Sequence, residues 1–393
     1  MRILICGTTY HPALNGQAIF TVNLAEGLAK QGHEVAVVYP SEEGKAYSRT
    51  RKGVRLETTD SLSLSFIHPD SFVPLPSRKR IRQILDDFRP DIVHIQDHYP
   101  TSRSMVLEAK KRKLKIVGTN HFMPENLAPY VPGLSKIKPL YNWILWNWML
   151  EVYNRVDVVT TQSRVAADIV RTQGLRVPVF PASCGINLSR FHPDPSVDRL
   201  ACRARYGLDP RRTIFLFVGR VDKEKRVDVL LRAFQYIKRD DIQLVIAGSG
   251  AALNDYQALA KSLNLGDKVR FTGFIHENLH VLLNSVDVFT MPSEAELLSL
   301  ASLEAMACGR PVLLADAVAL PDLVTQGVNG YLFKPGDSQD AAHYMELLAS
   351  QPERWETMGK ASVEKAQYHS LENTIKRYET LYKDTLEKHQ QVT

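Results

Sequence analysis

The sequence has no Cys-x-x-Cys pair. Its four cysteines (Cys6, Cys184, Cys202 and Cys308) are scattered over 393 residues. That excludes a disulfide-stapled scaffold and reads as reduced thiols in a cytosolic protein. No apolar run approaches the roughly 18 residues of a membrane span. The apolar start, Arg2 to Cys6, runs straight into Gly7 and is too short for a secretory leader. A Gly-x-Gly-x-x-Gly fingerprint is missing too. The loop after the first strand-like run offers Gly16, whose backbone can approach a phosphate, but the spacing gives a nicotinamide site little support. Apolar residues make up 44% of the chain and charged residues 23%, which excludes a disordered or collagen-like protein.

What is present suits two domains, because one core rarely extends beyond about 250 residues. Residues 1–185 hold 24 Lys/Arg against 16 Asp/Glu, a net +8, whereas 186–393 hold 25 against 27, a net −2. Two basic runs stand out in the first part: Arg78-Lys79-Arg80 with Arg82, and Lys110-Lys111-Arg112-Lys113 with Lys115. Each is either a solvated helix face or a docking patch for an anionic partner.

Short apolar runs alternate with helical patterns. The runs at 2–7, 34–39, 91–96, 115–119 and 156–161 read as strands buried on both faces, with helices at 17–31, 77–88, 103–113 and 163–173 between them. The proline-bearing stretch 186–212, with a short helix near 198–206, reads as a linker. Alternation resumes at 213–219, 242–248, 269–273, 286–290, 311–315 and 330–333, and residues 371–388 read as a final helix. The expectation is α/β: two Rossmann-like, doubly wound parallel-sheet domains facing a central cleft, at 1–185 and 213–370. Residues 371–393 are expected to pack back towards the first. The stretch from Ile137 to Val152 is apolar nearly all round and carries Trp143, Trp146 and Trp148. It is either sandwiched in protein or lies at an interface.

Several residues carry chemistry. Glu296 and Glu304 are eight apart, about 12 Å if both lie on one helix, a spacing that suits two hydroxyl-bearing ends of an extended ligand. Arg220 and Lys225 follow a strand end, where two cations can neutralise a leaving diphosphate without a metal. His276-Glu-Asn-Leu-His280 spells the zinc-protease pattern, but it follows a strand end, heads a short helix and marks no third ligand. His94 and His98 are also four apart, at a strand end, where that spacing does not converge on one face.

Ser293-Glu-Ala-Glu296 with Leu303-Glu-Ala-Met-Ala-Cys-Gly-Arg-Pro-Val312 resembles the Glu-x7-Glu signature of the GT-B retaining glycosyltransferases of family 4. Gly219-Arg-Val-Asp-Lys-Glu-Lys225 resembles their donor-phosphate loop, and Cys184-Gly-Ile-Asn187 with Phe191-His-Pro193 their linker motif. The resemblance spans almost the whole chain. It implies a nucleotide sugar held by the second domain and an acceptor by the first. On that likeness Glu296 contacts sugar hydroxyls, Glu304 the ribose, Arg220 and Lys225 the diphosphate. Gly16 offers its amide, Gly248, Gly250 and Phe274 lie near the base, and His121 sits beside the sugar. The helix amino end at Leu298, Ser299 and Leu300 faces the phosphates. Leu297-Leu298 replaces the usual Phe-Gly, and Asn15-Gly16 the usual Gly-Gly.

Thr119-Asn-His-Phe-Met-Pro-Glu-Asn126, Glu296–Glu304 and Ala317–Asp322 further resemble bacterial diacylglycerol α-glucosyltransferases. The implied reaction moves a hexose, glucose from UDP-glucose, onto 1,2-diacylglycerol. No cofactor and no obligatory metal are implied, and neither nucleic acid nor a protein partner is indicated. Trp143, Trp146, Lys110, Lys111, Arg112 and Lys113 would then meet acceptor or anionic membrane, with a cytoplasmic protein peripheral on the inner face. Phosphatidylinositol, a polysaccharide or a soluble glycoside as acceptor, or a GT-B sugar-nucleotide epimerase, are the alternatives.

Overall fold

The computed structural model describes residues 1–10, 15–63, 72–75, 77–123, 138–275 and 277–390. The chain forms two compact units, Met1–Gly185 with Leu371–Thr393, and Ile186–Ser370.

The first unit contains β1 (Arg2–Cys6), α1 (Gly16–Lys30), β2 (Glu34–Pro40), β3 (Ser48–Arg51), β4 (Val54–Thr59), β5 (Ser61–Ser63), β6 (Phe72–Pro74), α2 (Arg78–Phe88), β7 (Ile92–Ile95), α3 (Pro100–Lys111), β8 (Lys115–Asn120), α4 (Lys138–Tyr153), β9 (Val158–Thr161), α5 (Arg164–Thr172) and β10 (Val179–Pro181). Eight strands form one sheet in the order β10-β9-β8-β7-β1-β2-β4-β3. Ile3, Leu4, Ile5, Val93 and Ile95 are wholly buried, as strands covered on both faces require. The sheet is mixed rather than purely parallel, because β3 runs antiparallel to β4. Lys52 and Gly53 both take positive φ (48° and 79°) between the paired Arg51 and Val54. That is the turn a two-residue hairpin demands. Gly16 opens α1 rather than preceding it, with Asn15 capping through a 2.9 Å bond from the Ala18 amide.

The second unit contains α6 (Arg199–Tyr206), β11 (Thr213–Val218), α7 (Val227–Ala233), β12 (Ile242–Ala247), α8 (Leu253–Ser262), β13 (Val269–Gly273), α9 (Leu279–Ser285), β14 (Val288–Met291), α10 (Leu300–Ala307), β15 (Val312–Ala315), β16 (Gly330–Phe333), α11 (Ser338–Ala349) and α12 (Trp355–Gln367). Its parallel sheet has the order β13-β12-β11-β14-β15-β16. This is the doubly wound order, and it reverses direction between β11 and β14. The stretch 186–212 is not a free linker. It belongs to this unit, and buried Arg203 in α6 pairs with Asp287 at 2.8 Å. Burying that charge alone would be costly, so α6 is fixed to the body of the unit.

A last helix, α13 (Leu371–Gln390), returns to the first unit. Gly27 of α1 meets it so closely that a Cβ there would lie 2.1 Å from Ile375 Cδ1. Tyr378 and Tyr382 of α13 are buried against β7, β8 and β9.

Candidate active site

Ligands of doubly wound sheets bind where the strand order reverses. In the second unit that point is flanked by the loops after β11 and β14, which carry Lys225 and Glu296. They are 71 positions apart in sequence, yet Lys225 Nζ donates to Glu296 Oε1 at 2.6 Å. Both are largely buried, with 15% and 13% of their side chains exposed. Arg220 lies in the same loop and donates to Asp222 Oδ2 at 2.7 Å and Glu224 Oε1 at 2.5 Å. Asp222 and Glu224 were not singled out from the sequence. Their signal is the alternation of signs in Arg-Val-Asp-Lys-Glu-Lys, which seats Arg220 on both acids and leaves Lys225 to reach Glu296.

Asp222 has a second task. Its Oδ1 accepts from the Ala251 amide at 2.8 Å, tying the loop after β11 to the loop after β12. Gly248 and Gly250 allow that approach. A Cβ on Gly248 would lie 1.9 Å from the Gly219 carbonyl oxygen, and one on Gly250 2.6 Å from Asp222 Oδ1. Any larger residue would push the two loops apart. Phe274 follows β13 and stands exposed.

Glu296 is not on a helix, so the 12 Å spacing, which required both carboxylates on one helix, does not apply. It lies in the loop before α10, whereas Glu304 lies within α10. Ser299 caps that helix, its Oγ accepting from the Ser302 amide at 3.2 Å. Leu298 is buried beside the cap and Leu300 begins the helix. The amino end of α10 is therefore ordered and carries the partial positive charge that favours anions. Burial pushes the Glu304 carboxyl up to about 7, with Arg190 opposing it. An acid with that value changes charge near neutral pH and accepts hydrogen bonds from hydroxyls best when ionised.

In the first unit, His121 Nε2 faces Gln96 Oε1 at 2.9 Å and Nδ1 faces Gln162 Nε2 at 2.7 Å. An amide oxygen accepts and an amide nitrogen donates, so the proton belongs on Nε2. Burial lowers the ring to about 3, which keeps it neutral. Behind it, His94 is held by Thr119 Oγ1 at 2.6 Å and the Tyr382 hydroxyl at 2.7 Å. Asp97 holds the loop before α1 to the loop after β7. It accepts from the Thr8 amide and hydroxyl, Gln17 Nε2, Ser102 Oγ and the Tyr99 amide.

The tryptophan helix resolves into two faces. Trp146 is not at an interface; it is 4% exposed and packed into the core with Met149 and Val152. Trp143 is 64% exposed, on one face with Leu140, Ile144 and Trp148. The basic run at the end of α3 is partly neutralised: Lys111 pairs with Glu108, Arg112 with Asp86, and Lys110 donates to the Arg155 carbonyl. Lys113 takes a positive φ past the helix end. In the His-Glu-x-x-His run, His276 lies outside the described residues. Glu277 precedes α9, so it does not share a helix face with His280. Residues 124–126 of the lipid-enzyme-like motif also lie outside the described residues.

Two family models tile the chain: Glycosyltransferase Family 4 matches residues 14–190 and Glycosyl transferases group 1 matches 198–365. The chain belongs to the GT-B glycosyltransferases of family 4. Within that family it is similar to an alpha-monoglucosyldiacylglycerol synthase of Streptococcus pneumoniae, at 25% identity over 98% of this chain and 86% of the relative. It is also similar to a GDP-mannose-dependent alpha-mannosyltransferase of Corynebacterium glutamicum, at 29% identity over 86% of this chain and 78% of the relative. Among solved structures, Anabaena HepE in complex with UDP-glucose superposes with a TM-score of 0.76. That match has 17% identity over 96% of this chain and 99% of the other, and it bears on the GT-B fold alone.

Proposed function

We propose that the protein is a retaining hexosyltransferase that moves glucose from UDP-glucose to the free hydroxyl of 1,2-diacylglycerol at an anionic membrane surface. The observation that carries the transfer chemistry is the preformed Lys225–Glu296 pair at the strand-order reversal. In this reading Lys225, Arg220 and the amino end of α10 stabilise the departing diphosphate, and no metal is required of them. Glu296 receives sugar hydroxyls and Glu304 the ribose, while His121 packs beside the sugar. The acceptor oxygen bonds to the anomeric carbon on the face the diphosphate leaves. The bond to the diphosphate oxygen breaks, and that oxygen takes the acceptor's proton. No carboxylate nucleophile is invoked.

The lipid acceptor is supported by two observations. The similarity to the diacylglycerol enzyme runs through nearly the whole chain. The face of α4 formed by Leu140, Trp143, Ile144 and Trp148 is exposed and apolar, and tryptophan favours the membrane boundary. The test is a turnover screen without added metal. UDP-, GDP- and ADP-sugars are crossed with diacylglycerol in mixed anionic micelles and with soluble sugars, read by product mass and anomeric configuration. An α-glucosyl-diacylglycerol from UDP-glucose is expected. Turnover on soluble sugars alone would overturn the lipid assignment, and inversion at the anomeric carbon would overturn the mechanism.

A further inference from the structure

In the first unit the sheet order reverses between β1 and β7. The loop leaving β7 carries a feature that packing does not explain. His98 is wholly buried, and neither of its ring nitrogens has a hydrogen-bond partner among the described residues. Four rings surround it. Tyr99 stacks at 4.7 Å between centroids, Trp148 meets it edge-on at 4.8 Å, Phe122 lies at 5.4 Å and Tyr153 at 6.3 Å. A buried polar group without a partner is destabilising, and a phenylalanine would fill this box without that cost.

Two neighbours indicate what the ring is for. Phe122 directly follows His121, so the box adjoins the histidine assigned to the sugar. Asp97 directly precedes His98, and among the described residues no lysine or arginine pairs with its carboxylate. A buried negative charge beside His98 disfavours an anionic group there. Trp148 is the most exposed of the four walls and belongs to the apolar face of α4.

We propose that His98 is the head-group recognition residue of the acceptor subsite, specific for an uncharged glycerolipid alcohol. The neutral imidazole offers one donor and one acceptor. A head group with a free hydroxyl and an ester carbonyl satisfies both. Because His98 is wholly buried in the free chain, the head group reaches it only when Trp148, the exposed wall, turns aside; Trp148 then leads to the acyl chains on α4, and Asp97 rejects a phosphate in the hydroxyl's place. This inference rests on the transferase reading above and names its acceptor class.

The test titrates 1,2-dioctanoylglycerol, and separately its phosphorylated counterpart dioctanoyl phosphatidic acid, into the full chain by calorimetry, with UDP titrated in parallel. Wild type is expected to bind the alcohol saturably and the phosphate at least tenfold more weakly. His98→Phe, which keeps the ring but not its polar atoms, should weaken the alcohol by about tenfold or more and leave UDP affinity unchanged. His98→Asn, retaining a donor and an acceptor, should recover part of the loss. If His98→Phe does not fold, Trp148→Leu reads the same box from its exposed wall and should also weaken the alcohol. Equal affinity of wild type and His98→Phe would overturn the proposal, as would preference for the phosphate or no binding of the alcohol. Loss of UDP binding by wild type would instead overturn the transferase reading.

Discussion

At 2.6 Å from Glu296, the Lys225 ammonium is oriented in the free chain, ahead of the diphosphate that the proposed reaction would bring. An oriented cation contributes most when charge develops on the leaving group and little to ground-state affinity. Lys225→Ala should therefore lower kcat by about 100-fold or more while changing the Kd for UDP only a few-fold. Stopped assays alongside UDP titration check this, and an equal loss of both would refute it. The histidines make a different prediction. Burial holds the rings of His94 and His121 down at about 3 and that of His98 at about 4. Each folded value lies below the ordinary one near 6.5, so the unfolded chain binds more protons between the two. Stability is then fully present above pH 6.5 and falls as the pH drops towards 4. Each ring adds about 1.4 kcal/mol per pH unit within that window. Melting temperatures measured from pH 8 to 5 should be flat and then fall, with a shallower fall in His98→Phe.

Elements decide which of these residues meet. Lys225 and Glu296 were legible as a pair of motifs, but the contact between them follows from the strand order around β11, which no local spacing encodes. A single helix carrying both Glu296 and Glu304 is ruled out for a local reason. Pro292 and the serines around it keep the chain out of helix until Ser299 caps it. Likewise β3 and β4 were missed because Arg49, Arg51, Arg55 and Glu57 give a polar run. Yet β4 is buried at every position but Arg55, and its buried Glu57 is held by Arg55 and Arg80, a pairing with no local signature. The α4 helix was read as apolar all round because Trp143 and Trp146 have the same composition signal; only packing separates them. Trp143→Ser should weaken co-sedimentation with anionic vesicles at little cost in stability. Trp146→Ser should cost about 3 kcal/mol or more in urea unfolding. In α13, Tyr382→Phe removes the 2.7 Å partner of His94 Nδ1 and should cost about 1–2 kcal/mol, with a further loss of kcat if His94 and Gln96 align His121.

Across the whole molecule, sequence alternation located both sheets because strands buried on two faces must be apolar throughout. The stretch 186–212 escaped that logic. Its prolines resemble a linker, yet Arg203 reaches Asp287, a contact 84 positions away that has no local signature. The compact unit formed by Ile186–Ser370 carries Lys225, Glu296 and Glu304 together. A chain ending at Ser370 should therefore keep UDP binding while its first unit loses cooperative unfolding, seen as the disappearance of one of two transitions in urea.

The placement of Tyr378 and Tyr382 also sets an order of events during synthesis. The first 185 residues leave the ribosome early, but His94, Thr119 and Thr160 must wait for hydroxyls from the final twenty or so residues. The second unit has all its residues before the first can close. A nascent chain of this protein should therefore mature from its middle outward, and a message truncated near its end should yield a donor-binding product that proteases recognise by its unfinished amino-terminal unit.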